Sequence, residues 1–97
     1  MTTERICSRR ICKVRITITD ILCDGKCSQG HKVGDSWLFE RNMTPDRLCA
    51  SAFHAVFPLV KMLYYDGNIP MRSDDTPTYV SCPDAHHPVV FELKKET

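Results

Sequence analysis

The chain has 97 residues, 42% of them hydrophobic, which suits one small domain with a thin core. Its 13 basic and 12 acidic residues leave a net charge of +1, without the basic stripe expected of a nucleic-acid binder. No apolar run approaches the length of a membrane span, and the charged start, Met1 to Arg10, is not followed by the apolar core of an export signal, so the cytoplasm is the expected location.

Residues 1–10 read as a flexible, solvated tail, and residues 11–97 as a single domain. From Ile11 the pattern has period two. Cys12, Val14, Ile16 and Ile18 fall on one face, and Lys13, Arg15, Thr17 and Thr19 on the other, as in a half-buried strand. A loop punctuated by Gly25, Gly30 and Gly34 follows, over about residues 23–35. Ser36 to Glu40 reads as a second strand, with Trp37 and Phe39 on one face and Leu38 on the other.

Thr44-Pro45-Asp46 carries the signals of a helix start: a capping hydroxyl, a proline suited to the first turn and a carboxylate at the positive end of the dipole. A helix from 45 to about 65 gathers Leu48, Cys49, Ala52, Val56, Val60 and Leu63 on an apolar half, with Cys49 near its middle. Pro58 falls on the outer half, where it either kinks the helix or divides it in two. Asp66-Gly67 ends the helix, with glycine fitted to the left-handed cap.

Residues 68–77 read as loop; Thr78 to Cys82 and Val89 to Leu93 read as a third and a fourth strand. The order β-β-α-β-β predicts an α+β fold: a small, mostly antiparallel four-stranded sheet with one long helix across one face.

Six cysteines are many for a reducing compartment, where metal binding or redox work is the expected use of a thiol. Cys23, Cys27 and His31 follow one another at intervals of four, a spacing zinc sites allow. The strand and helix patterns turn Cys49 and Cys82 inward. A centre built from Cys27, Cys49 and Cys82, with Cys23 or His31 as fourth ligand, would take zinc, or an iron–sulfur cluster if all four donors were sulfur.

Other readings attach to the same residues. Cys12 belongs to the core and Cys7 to the tail, while Cys49 is also suited to plain core filling. Cys23 and Cys27 are exposed loop thiols, one residue further apart than a thioredoxin-type redox pair. Cys82-Pro83-Asp84 with His86 or His87 has the residue types of a nucleophile, base and orienter, although adjacent histidines in a turn, like His54 on the helix, are expected at the surface. Asp35 is expected to hold a turn. Gly30 and Gly34 lack the lysine and the following helix of a phosphate loop.

Taken together, Cys27-x-x-Gly30-His31-Lys-Val-Gly34-Asp35, Leu48-Cys49 with Ala52, the tract Pro58 to Gly67, Cys82-Pro83-Asp84 and Pro88-Val-Val-Phe-Glu-Leu93 resemble an uncharacterised family of short, single-domain prokaryotic proteins. The resemblance spans about Val14 to Lys94. It implies that Cys27, His31, Cys49 and Cys82 belong to the family's pattern while Cys7, Cys12 and Cys23 do not, which favours His31 over Cys23 as fourth ligand. It supplies no reaction. The resulting expectation is a small metal- or iron–sulfur-binding domain, suited to an accessory role beside a redox enzyme. The alternatives are a metal-free interaction module with buried cysteines and a small thiol-dependent enzyme. An apolar group of Tyr64, Tyr65, Ile69 and Met71 would suit a homodimer or a larger protein partner, unless it closes the core.

Overall fold

The structure, a computed structural model, describes residues 11–22, 27, 29–67, 77–83 and 86–96. The expected tail, together with Cys7, Cys23, Ile69, Met71 and Asp84, lies outside these residues. Strand β1 is Lys13–Ile21, β2 Ser36–Phe39, β3 Thr78–Ser81 and β4 Val89–Glu96, with helix α1 at Ala50–Tyr64 between β2 and β3. The four strands form one sheet in the order β2-β1-β4-β3, and every neighbouring pair is antiparallel. The helix lies against β4, β3 and β1, which is the expected α+β arrangement.

Strand β1 shows why the alternation of the sequence has to be read with its pairing. Val14, Ile16 and Ile18 are buried, as period two requires, but continued alternation would next turn Asp20 inward. The register against β4 shifts between Ile18 and Asp20, where Ile18 pairs with Phe91 and Asp20 with Val90. This bulge leaves Thr19 and Asp20 exposed and returns Ile21 to the core, opposite Val89. The inward residues of β4, Val89, Phe91 and Leu93, complete the sheet's apolar face with Phe39 of β2. Against it the helix sets Ala52, Val56, Val60, Leu63 and Tyr64. Each large side chain so buried contributes about 1.5–3 kcal/mol from removal of apolar surface from water, so this layer dominates stability. The opposite sheet face is polar: the Arg15 guanidinium pairs with Glu96 at 2.9 Å, and the Tyr79 hydroxyl donates to Glu92 at 3.3 Å.

The helix begins five residues later than its local signals predict. Arg47 has a φ of +67°, which a right-handed helix does not accommodate, and Cys49 is the N-cap residue in extended backbone. A helix starting at Pro45 would direct the Cys49 N–H to the Pro45 carbonyl; that N–H instead donates to His31 Nε2 at 3.3 Å. A tertiary hydrogen bond and the burial of Leu48 therefore override the Thr44-Pro45-Asp46 signal. Cys49 is consequently not on the helix's buried arc but at its mouth.

Pro58 lies within the helix on an exposed face, and the helix runs through it without dividing. At the other end, the Asp66 N–H donates to the Leu63 carbonyl and the Gly67 N–H to the Met62 carbonyl, at 2.9 and 2.8 Å, closing a Schellman motif. The left-handed residue is Asp66, with φ +62°, rather than Gly67. Gly67 is required for a different reason: a Cβ there would stand 2.8 Å from Met62 Cγ and 2.9 Å from the Met62 carbonyl oxygen. The Asp66 carboxylate is held by Lys95 Nζ at 3.0 Å, and the Cys12 N–H donates to the Tyr64 carbonyl at 2.8 Å. The helix C-terminus is thus tied to the start of β1 and the end of β4. Tyr64 is buried and closes the core, while Tyr65 is exposed. No helix among the described residues is long and apolar enough to cross a membrane.

Candidate thiol and imidazole cleft

The opposite end of the sheet carries the functional residue types. Ile21 pairs with Val89 and Ser81 with Val90, so the end of β1, the end of β3 and the start of β4 meet there. The N-terminus of α1 points to the same place. Between them lies a cleft of about 280 Å³. Cys27, Cys49 and Cys82 contribute three thiols to its wall, and His31 and His87 contribute two imidazoles. Gln29 and Ser51 add polar groups; Ala52, Val89 and Phe91 make the apolar part.

Each of these positions has a local cause. The loop after β1 is tied back to that strand: the Gly34 N–H donates to the Ile18 carbonyl and the Ile18 N–H to the Asp35 carbonyl, both at 2.9 Å. Gly34, at φ +97°, makes the turn that permits this. The Asp35 carboxylate accepts the Lys32 N–H at 2.9 Å, the turn-holding role its sequence context predicts. The Gly30 N–H donates to the Cys27 carbonyl at 3.0 Å, so the thiol and the imidazole flank one tight turn. The His31 ring stands edge-on to Trp37, centroids 5.0 Å apart, and its Nε2 accepts the Cys49 N–H. His31 therefore joins the loop to the helix mouth.

Cys82 is fixed by the β3–β4 hairpin. Its N–H donates to the Val89 carbonyl at 2.9 Å, and its Sγ accepts the Val89 N–H at 3.3 Å. An N–H aimed at sulfur is the kind of contact that supports a thiolate bound to a metal. Cys49, half-buried, opens α1 without a side-chain cap, and the helix's first turn has no acidic residue. The positive end of the helix dipole thus meets the cleft, whose described lining contains no carboxylate.

Cys27, His31, Cys49 and Cys82 all reach this one cleft. Cys23, the alternative ligand, lies outside the described residues. The described cysteines, Cys12, Cys27, Cys49 and Cys82, are free thiols. Cys12 is fully buried away from the cleft, its thiol 3.7 Å from an Asp66 carboxylate oxygen, and is a core residue as its strand position predicts. His54 and His86 are exposed, in keeping with their expected surface positions.

His87 departs from that expectation: it is half-buried and lines the cleft. Its sequence signal is a hairpin one. Pairing of Cys82 with Val89 brings the residues just before Val89 beside Cys82, whatever the turn between them does. A nucleophile set with Asp84 falls outside the described residues. The donor chemistry, three sulfurs with imidazole nitrogen, is that of a Cys3His zinc site. Their spacing is not yet that of a closed centre: among the described residues, no three His, Cys, Asp or Glu side chains are grouped so as to hold a metal ion. Compared with protein-family models, curated proteins and solved structures, the chain matches none.

Proposed function

We propose that this protein is a small metal-binding domain whose cleft captures a thiophilic divalent cation of the zinc class through Cys27, Cys49 and Cys82, with an imidazole as fourth donor. The observation that carries the reading is the convergence of three thiols and two imidazoles, from three separate parts of the chain, on one cleft without carboxylates. Three thiolates, a neutral imidazole and a divalent cation sum to one negative charge, which the positive end of α1 complements. An all-sulfur cluster would need a fourth thiol from outside the described residues.

A second reading, a metal-free interaction module, is favoured by one observation: the described donors are not pre-grouped for a metal. An alkylation time course separates the two. The metal-binding reading expects Cys27, Cys49 and Cys82 to be protected in protein purified without oxygen and to react quickly once a chelator is added, with about one equivalent of zinc or iron released. Protection that ends only on unfolding, with no effect of chelator and less than about a tenth of an equivalent of metal, would overturn it.

A further inference from the structure

The size of the cleft points past a bare ion. Zinc–sulfur bonds are about 2.3 Å long, so a closed centre leaves no empty space between its donors. The cleft instead holds about 280 Å³, room for about nine waters at about 30 Å³ each and slightly less than the roughly 300 Å³ at which sites for drug-sized ligands begin. Its floor is apolar and buried, from Ala52, Val89 and Phe91. Gln29 and Ser51 line it as exposed polar residues at the rim. A concave apolar floor with a few polar groups at the edge is the construction of a site for a small organic molecule. Thiols in its wall give such a molecule something to react with.

The Cys82 sulfur is held in place on that wall. Its backbone N–H donates to the Val89 carbonyl at 2.9 Å, and its Sγ accepts the Val89 N–H at 3.3 Å. Both contacts come from the residue that forms part of the apolar floor. Cys49, by contrast, makes no side-chain hydrogen bond to the helix it caps. An N–H donated to a sulfur anion is charge-assisted and stronger than one donated to a neutral thiol, so the Val89 contact strengthens as Cys82 becomes the attacking species. We propose that the cleft is a thiol–disulfide exchange site in which Cys82 takes up one half of a low-molecular-weight disulfide. The Cys82 thiolate, its proton passed to water, attacks one sulfur of the disulfide. A new S–S bond forms, the bond between the two ligand sulfurs breaks, and the departing sulfur leaves with the electron pair and takes a proton from water. The ligand disulfide is itself the oxidant: Cys82 is oxidised to a mixed disulfide, and the departing half is reduced to a thiol. The retained half occupies the cleft. No part of the step uses a metal ion, so it stands independently of the metal-binding reading above.

Hydroxyethyl disulfide, added over a range of concentrations to the reduced full chain with chelator present, tests this. Peptide mapping by mass spectrometry follows each cysteine. Cys82 is expected to gain the adduct at least about tenfold faster than the same residue in the urea-unfolded chain, and its rate is expected to level off as the disulfide fills the cleft before reacting. Cys12, buried away from the cleft, is expected to react only on unfolding. Ser51→Trp places a large side chain at the exposed rim and is expected to slow Cys82 and remove the levelling-off without lowering the midpoint of thermal unfolding. Cys82→Ser is expected to remove the saturable phase altogether; should that variant not fold, by far-ultraviolet circular dichroism, Ser51→Trp answers the same question. A Cys82 rate that rises linearly with disulfide concentration, or one no faster than in urea, overturns the proposal, as does a saturable phase that survives Ser51→Trp. Because chelator is present throughout, these results do not depend on metal uptake, which the alkylation experiment measures separately.

Discussion

Removing His31 should weaken the fold in the complete absence of metal. His31→Ala deletes the acceptor of the Cys49 N–H and the edge-on ring contact with Trp37. A part-buried hydrogen bond is worth about 0.5–1.5 kcal/mol net, and an aromatic pair about 0.5–1.5 kcal/mol beyond its buried area. The two share one side chain and do not simply add, so the expected loss is about 1–2.5 kcal/mol. For a domain of this size that lowers the midpoint of thermal unfolding by about 5–15 °C. Urea and thermal unfolding with reductant and chelator present give the number free of any metal contribution. A double-mutant cycle with Trp37→Leu isolates the ring pair, and amide exchange at Cys49 reports the hydrogen bond: its protection should fall in His31→Ala and stay in Trp37→Leu. A loss below about 0.5 kcal/mol, with Cys49 exchange unchanged, would refute the claim that His31 holds the helix mouth.

Two further predictions address the frame around the cleft. Gly67→Ala forces a methyl against the Met62 backbone and should cost about 1–3 kcal/mol in urea unfolding; Met62→Ala in the same chain should recover only part, because the carbonyl remains. Gly34→Ala has open space around the new methyl, so its cost, about 1–3 kcal/mol, should come from positive φ alone and should not respond to changes at Met62. On the sheet's open face, the hydrogen bond from Arg15, ahead of its charge, holds the Glu96 carboxyl below its ordinary value. A carboxylate lowered in the folded state contributes stability above its unfolded pKa, and that contribution is lost as pH falls through the folded one. Because both side chains are more than one-third exposed, Arg15→Ala should cost only about 0.2–1 kcal/mol at neutral pH, and the difference from wild type should fade as pH drops below about 4. A difference that persists in acid would point to packing by the arginine stem instead.

What the sequence determined by itself is what depends on neighbours along the chain. The alternation of Cys12, Val14, Ile16 and Ile18, and of Val89, Phe91 and Leu93, specified two strands and their buried faces, because side chains on an extended backbone alternate whatever the partner strand does. The apolar periodicity from Ala52 to Leu63 specified the helix and its inner face for the same kind of reason. Asp35 could be read as a turn residue because its carboxylate bonds an amide three residues away.

Tertiary structure decided what depends on long-range partners. Asp20 stays out of the core only because β1 bulges against β4, which no local pattern announces. The helix starts after Cys49 because that residue's N–H bonds His31, 18 positions earlier, in preference to a turn with Pro45. Asp66 rather than Gly67 takes the left-handed position, with its carboxylate held by Lys95, 29 positions later, while Gly67 makes the close approach to Met62. The same distinction runs through the cleft. Cys27, His31, Cys49 and Cys82 could be singled out by residue type alone, since thiols and imidazoles carry their chemistry with them, whereas the place of Cys49 at the helix mouth could not. How these groups are held depends on hydrogen bonds made across the fold: one ties His31 to the helix mouth, and two tie Cys82 to Val89.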